Sequence, residues 1–255
     1  MLAIHAVPAF QDNYLWVIAR GARAAVVDPG DAAPIEDFLA RNGLELAAIL
    51  ATHHHGDHVG GLRSLKERWK CPVFGPAHEA IEGIDTRLGE GDRITVPGLD
   101  LALDVLDVPG HTAGHIAYAG DGFVFCGDTM FACGCGRLFE GTPAQMSRSL
   151  GKLAALPAGT RAYCAHEYTM ANIRFAQAVE PGNPALEARR ARDQAKRERG
   201  EATVPSTVAD ERATNPFLRC GEPEVVASAT RRAGRTLADP VEVFATLRQW
   251  KNEFR

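Results

Sequence analysis

Thr52-His53-His54-His55-Gly56-Asp57-His58 decides how this 255-residue chain is read. Four histidines and one carboxylate follow directly on the apolar run 46–51, which reads as a buried strand continuing to Thr52. If strand geometry persists into the cluster, His53 and His55 project from one face, because alternate side chains share a side. His54 then points the other way and packs or supports rather than ligates. Asp57 and His58 come after the turn at Gly56 and approach the same spot from another direction. Beyond them, Leu62, Leu65 and Trp69 recur at helical spacing. Neutral imidazole and carboxylate are the donors that a borderline divalent ion such as zinc takes. Burying so many imidazoles without a role is costly, so a purely structural cluster is the weaker reading.

Working outward, three more apolar runs end in the same way. The β-rich stretch 93–108 leads into Pro109-Gly110-His111-Thr112-Ala113-Gly114-His115. The run 123–126 stops at Gly127-Asp128-Thr129, and 161–165 stops at His166. Strand ends in α/β folds converge on one edge of the sheet, where ligand sites form. Seven candidates result: His53, His55, Asp57, His58, His111, Asp128 and His166. One zinc with a water needs only three protein ligands. Seven suit two ions, one on His53, His55 and His111, the other on Asp57, His58 and His166, with Asp128 bridging. Two ions about 3.5–4 Å apart can share a hydroxide and bring its pKa toward ~7. His115 reads as a hydrogen-bonding neighbour of the site, and the pair Cys133 and Cys135 as small loop residues.

The remaining chain supports an α/β class with an appendage. Strand-like runs at 14–20 and 24–27, a helix at 34–42 and the short strand 71–75 alternate in the α/β manner. From about Tyr168 the pattern turns helical: 172–179, a charged stretch 185–199, and a last helix. Asp239 can cap that helix, Pro240 suits its first position, and Glu242 makes an Asp-x-x-Glu box. Region 169–255 reads as helical, without a large core of its own. The composition is 45% hydrophobic and 24% charged with net charge -4, which is ordinary for a soluble globular protein and gives no basic field for nucleic acid. No apolar run approaches the ~18 residues of a membrane helix, and no basic segment opens the chain as a signal peptide would. Six scattered cysteines read as reduced cytoplasmic thiols.

Four separated motifs in order, His53-x-His55-x-Asp57-His58, Gly110-His111-Thr112, Gly127-Asp128 and His166, resemble the metallo-β-lactamase superfamily. More narrowly, the chain resembles the glyoxalase II family, the hydroxyacylglutathione hydrolases. The resemblance extends to Cys133-Gly134-Cys135-Gly136, Glu140-Gly141-Thr142, His166-Glu167-Tyr168-Thr169, Asn215-Pro216-Phe217 and the basic last helix. It implies a metallo-β-lactamase-like αββα sandwich over residues 1–168 and a C-terminal helical substrate-binding domain over 169–255. It implies hydrolysis of S-2-hydroxyacylglutathione, chiefly S-D-lactoylglutathione, to glutathione and a 2-hydroxy acid such as D-lactate, by a metal-bridging hydroxide. This is the second step of methylglyoxal detoxification. The expected cofactors are two divalent ions, zinc first, with iron or manganese as alternatives.

By the same resemblance Arg137, Phe139, Tyr168, Arg248 and Lys251 bind glutathione, and Asp57 or Asp128 accepts the nucleophile's proton. Arg248 and Lys251 are i,i+3 neighbours on one helix face, which suits a carboxylate clamp; without the family pattern they would read as solvated charge. The family often carries Lys at the position of Arg137 and Tyr at that of Phe139, so contacts there differ in geometry. Other branches fit less well. A di-iron oxidoreductase prefers a carboxylate where His55 stands, a β-lactamase a cysteine at Asp128, and a nuclease a basic surface. A mononuclear persulfide dioxygenase is the nearest rival, and Asp57-His58 with the basic helix favours the hydrolase. A monomer acting on a small glutathione thioester, without nucleic acid or membrane, is expected.

Overall fold

Strand pairing follows the hydrophobic pattern from Asn13 onward. The computed structural model describes residues 1–254. In it β1 (Ala3–Ala9), β2 (Asn13–Arg20) and β3 (Arg23–Val27) pair antiparallel. Then β4 (Glu45–Leu50), β5 (Val73–Pro76) and β6 (Thr86–Leu88) join in parallel, completing a mixed six-stranded sheet in sequence order. Parallel neighbours need crossovers. The first is α1 (Ala32–Asn42), the second α2 (Gly56–Val59) with α3 (Leu62–Trp69), and the third, residues 77–85, contains no helix. Ile35, Leu39, Leu62 and Leu65 from these helices pack with Val17, Val26 and Ile49 of the sheet. A four-stranded antiparallel meander follows: β7 (Arg93–Val96), β8 (Leu101–Asp107), β9 (Ile116–Gly120) and β10 (Phe123–Gly127). Met1–Asp107 with Thr112–Gly127 forms one compact unit.

The second unit comprises Val108–His111 and the chain from Asp128 onward. Its elements are β11 (Met130–Phe131), β12 (Gly134–Cys135), α4 (Pro143–Ala155), β13 (Arg161–Cys164), α5 (Thr169–Val179), α6 (Pro184–Glu198), β14 (Ser206–Thr207), α7 (Val208–Thr214), α8 (Pro223–Ala233) and α9 (Pro240–Glu253). The helical part of this unit packs aromatic side chains together. Phe175 stacks near Phe217 at 6.0 Å and meets Trp250 edge-on at 5.4 Å, while Phe217 meets Phe244 at 5.4 Å. These aromatics are too far apart in sequence to show as one stripe.

Two local rules explain most helix starts. Asp239 accepts from the Val241 and Glu242 N–H groups with Pro240 in the first turn, as expected. The reciprocal half of the box differs, because Glu242 accepts from Ala238 N–H and Arg235 instead. Helix α4, which periodicity did not reveal, starts on a full capping box between Thr142 and Gln145. Strand β1 was also not expected, since it is exposed along most of its length and carries His5 and Pro8. Among the described residues no helix is long and apolar enough to cross a membrane.

Candidate metal centre

The decisive stretch departs from strand geometry earlier than expected. Strand β4 ends at Leu50, and after Ala51 N–H bonds to Phe74 the chain leaves the ladder. Its next N–H goes to a side chain: Asp28 accepts from Thr52 N at 2.7 Å and from Thr52 Oγ1 at 2.8 Å. His53 and His55 therefore do not share a face by strand alternation. A turn brings them together, with His55 at the N-cap of α2 and Asp57 and His58 in its short helix. Gly60 closes that helix against the segment after β3, where a β-carbon would fall 2.6 Å from the Gly30 carbonyl oxygen.

Hydrogen bonds fix which ring nitrogens carry lone pairs. Thr52 Oγ1 already donates to Asp28, so at 3.1 Å it accepts from His53 Nδ1–H. That leaves the lone pair of neutral His53 on Nε2, which lies 3.1 Å from His55 Nδ1. His58 Nδ1–H donates to Asp28 Oδ2 at 3.1 Å, turning its Nε2 toward Asp57 Oδ2 at 3.5 Å. Asp57 Oδ2 also accepts from Asn13 Nδ2 at 3.0 Å. Donor atoms of Asp28, His53 and His58 lie within 4.8 Å of one another. His53 and His58 are fully buried.

In the second unit His111 Nδ1–H donates to the Arg137 carbonyl at 2.9 Å, so its Nε2 lone pair faces Asp128 Oδ2 at 3.4 Å. The other oxygen of Asp128 faces His166 Nε2, also at 3.4 Å. All three side chains are buried. A lone pair opposite an acceptor-only carboxylate is repulsive unless a cation lies near both. Imidazoles tethered through one nitrogen to an oxygen acceptor are what metal ligation requires. In the first unit the donor atoms of Asp28, His53 and His58 lie close enough together for a divalent cation, and His111, Asp128 and His166 offer the same donor chemistry.

The residues expected to bind substrate all lie in the second unit. Arg137 is exposed, and Phe139, 63% exposed, meets the His111 ring edge-on at 5.3 Å. Tyr168, 37% exposed, stacks on His166 at 4.8 Å. Arg248 is instead buried: its guanidinium donates to the Cys135 carbonyl at 2.8 Å and to Asn252 at 3.0 Å, over the Phe217 ring. Lys251 Nζ donates to the Ala171 carbonyl at 3.0 Å between Phe175 and Phe254. Burial, then the charges of Arg248 and Arg174, lower its pKa from 10.5 to about 8. Outside the expected set, Asp28, Asn13 and Glu79 hold the histidine turn. No local pattern marks them, since each acts on residues at least 24 positions away.

Two family models together match nearly the whole chain. Residues 10–166 match the family model described as metallo-beta-lactamase superfamily, and 167–254 match hydroxyacylglutathione hydrolase C-terminus. A hydroxyacylglutathione hydrolase of Nitrosomonas europaea is 53% identical, covering 100% of this chain and 97% of that protein. One from Alkalilimnicola ehrlichii is 59% identical over 99% of this chain and 100% of its own. Among solved structures, ETHE1 from Myxococcus xanthus superposes with a TM-score of 0.66 at 22% identity, covering 100% of both chains, which shows the α/β metallo-β-lactamase fold.

Proposed function

The chain belongs to the hydroxyacylglutathione hydrolase family of the metallo-β-lactamase superfamily, and from that premise we propose how its residues divide the work. The reaction is hydrolysis of S-2-hydroxyacylglutathione thioesters, chiefly S-D-lactoylglutathione, to glutathione and a 2-hydroxy acid. The reading is carried by relatives more than half identical over essentially the whole chain.

Two divalent ions, zinc by preference, would be held by His53, His55, His111, Asp57, His58 and His166, together with Asp128. When bound, such ions make water acidic enough to supply a nucleophile near neutrality and polarise a carbonyl. Support comes from the donor chemistry of each cluster and from the split of the Asp128 oxygens between two histidines. The chain's own groups do the rest. Asp57, steadied by Asn13, or Asp128 accepts the proton released as the nucleophile forms. A thiol of pKa near ~8.5 departs readily as thiolate, so no strong general acid is required. Arg137, Phe139, Tyr168 and Lys251 contact the glutathionyl moiety, and Arg248 shapes that surface by holding the Cys135 carbonyl.

A division into a catalytic domain at 1–168 and a substrate-binding domain at 169–255 draws support from the junction of the two family models. Six cysteines without a disulfide suit a cytoplasmic setting. One chain carries every proposed group, so a monomer suffices. The test is turnover of S-D-lactoylglutathione by protein of measured metal content. Hydrolysis that disappears with chelation and returns with divalent metal is expected; a metal-free protein of full activity, or one inert toward the thioester, would sink the reading.

A further inference from the structure

Glu79 follows β5, carries no sequence signal, and is only 7% exposed. Its carboxylate gathers donors from two separate turns of the first unit. Oε2 accepts from the His54 backbone N–H at 2.5 Å and from His54 Nδ1–H at 2.6 Å. Oε1 accepts from the Thr112 hydroxyl and from Gly114 N–H at 3.2 Å. The second turn lies directly on this segment: a β-carbon on Gly114 would sit 2.6 Å from both the His78 carbonyl oxygen and Glu79 Cγ. The two turns also meet through Ile116 N–H bonding Thr52 O at 3.0 Å and through His115 stacked on His53 at 4.6 Å. His54 is flanked in sequence by the two proposed ligands His53 and His55, and it is held by backbone and ring at once.

We propose that Glu79 is a positioning residue that pins the 52–58 turn to the 112–115 turn and so sets how tightly the metal is held. The inference rests on the metal reading above. Four donors converge on one group, so the position requires an acceptor with no proton of its own. A carboxamide would press an NH₂ against N–H or O–H donors on one side and release that turn. Groups that orient metal ligands from behind typically contribute about 10–100-fold in affinity.

Zn²⁺ titration of the full chain against a chromogenic chelator decides the matter, alongside melting of the metal-free protein. Glu79→Gln is expected to raise the Zn²⁺ Kd about 10–100-fold, with the metal-free melting temperature little moved. Exposed Glu82→Gln should leave the Kd unchanged. A Kd within about twofold of the unaltered protein, against that 10–100-fold expectation, would overturn the inference. If Glu79→Gln does not fold, Thr112→Val, which removes one donor at constant shape, decides: a raised Kd supports the inference and an unchanged one overturns it. An unaltered protein that takes up no Zn²⁺ would overturn the metal reading, and this inference with it.

Discussion

Asp128 Oδ1 stands 3.4 Å from His166 Nε2, while Oδ2 stands at the same distance from His111 Nε2. One carboxylate thus addresses two imidazoles through different oxygens, and that division is what sharing between two ions needs. Asp128→Asn keeps the shape but replaces one oxygen by an NH₂ group, which offers no lone pair to a cation. The expected result is loss of about half the bound metal and a fall in kcat of at least ~10²-fold, since removing even an outer-sphere partner costs up to that much. Metal analysis beside steady-state kinetics checks it. Full occupancy with undiminished turnover would remove Asp128 from the shared position.

Lys251 gives a pH dependence with a definite sign. Burial brings its pKa down to about 8, so it is charged below that pH and neutral above it. If Lys251 faces a glutathione carboxylate, as proposed, its attraction would be present at pH 7 and fade as pH rises through 8. KM for S-D-lactoylglutathione should climb over that range while kcat changes less. Lys251→Arg, charged throughout, should abolish the inflection, and Lys251→Ala should raise KM at pH 7 and flatten it. A KM profile identical in all three proteins would place Lys251 outside the substrate site.

How much of this was legible in the sequence depends on how far each residue reaches. The ligand candidates stood out because imidazoles and carboxylates gather within a few positions at the ends of apolar runs. The geometric reason was misread: β4 stops at Leu50 because Asp28 takes the Thr52 N–H, so a turn brings His53 and His55 together. The last helix was legible from Asp239 and Pro240, which act within one turn. Glu79 and Asn13 were not, because their partners lie 25 to 44 residues away. Arg248 and Lys251 were placed on one helix face correctly. Spacing could not tell that Arg248 is buried and committed to the Cys135 carbonyl.

A buried ionic network stabilises the second unit. Arg189 donates to Glu211 at 2.7 Å, to Thr214 at 2.6 Å and to Asp193 at 3.3 Å, and all four are at most 3% exposed. Glu211 also accepts from Cys133 N–H at 2.8 Å and from Asn215 Nδ2 at 2.9 Å. Removing Glu211 takes from buried Arg189 its closest carboxylate and leaves only the longer Asp193 contact, and breaking such a buried pair costs about 3–5 kcal/mol. Glu211→Ala should therefore lower Tm by roughly 6–20 °C, at ~2–4 °C per kcal/mol for a chain of this size. Differential scanning calorimetry of the metal-loaded protein reads this directly; a shift of only a degree or two would mean that the network relaxes into solvent.

The cysteines give the last prediction. All six are buried and none forms a disulfide, including the Cys133 and Cys135 pair that frames the loop before Arg137. Burial pushes the Cys133, Cys164 and Cys220 thiols up to about 12, and Cys71 and Cys135 are raised by the same cause. Alkylation and metal ligation both require thiolate. At pH 7.5 a thiol of pKa 12 is ionised only to the order of 10⁻⁴ to 10⁻⁵, against about a tenth for an ordinary thiol. Iodoacetamide should thus leave the native protein's mass and activity unchanged over a period in which the denatured chain takes six adducts. Selective native labelling of Cys133 or Cys135 with loss of hydrolysis would give that loop a chemical role; an unlabelled, active protein leaves it as the small-residue support that Asn215, Glu211 and Arg248 hold through its backbone.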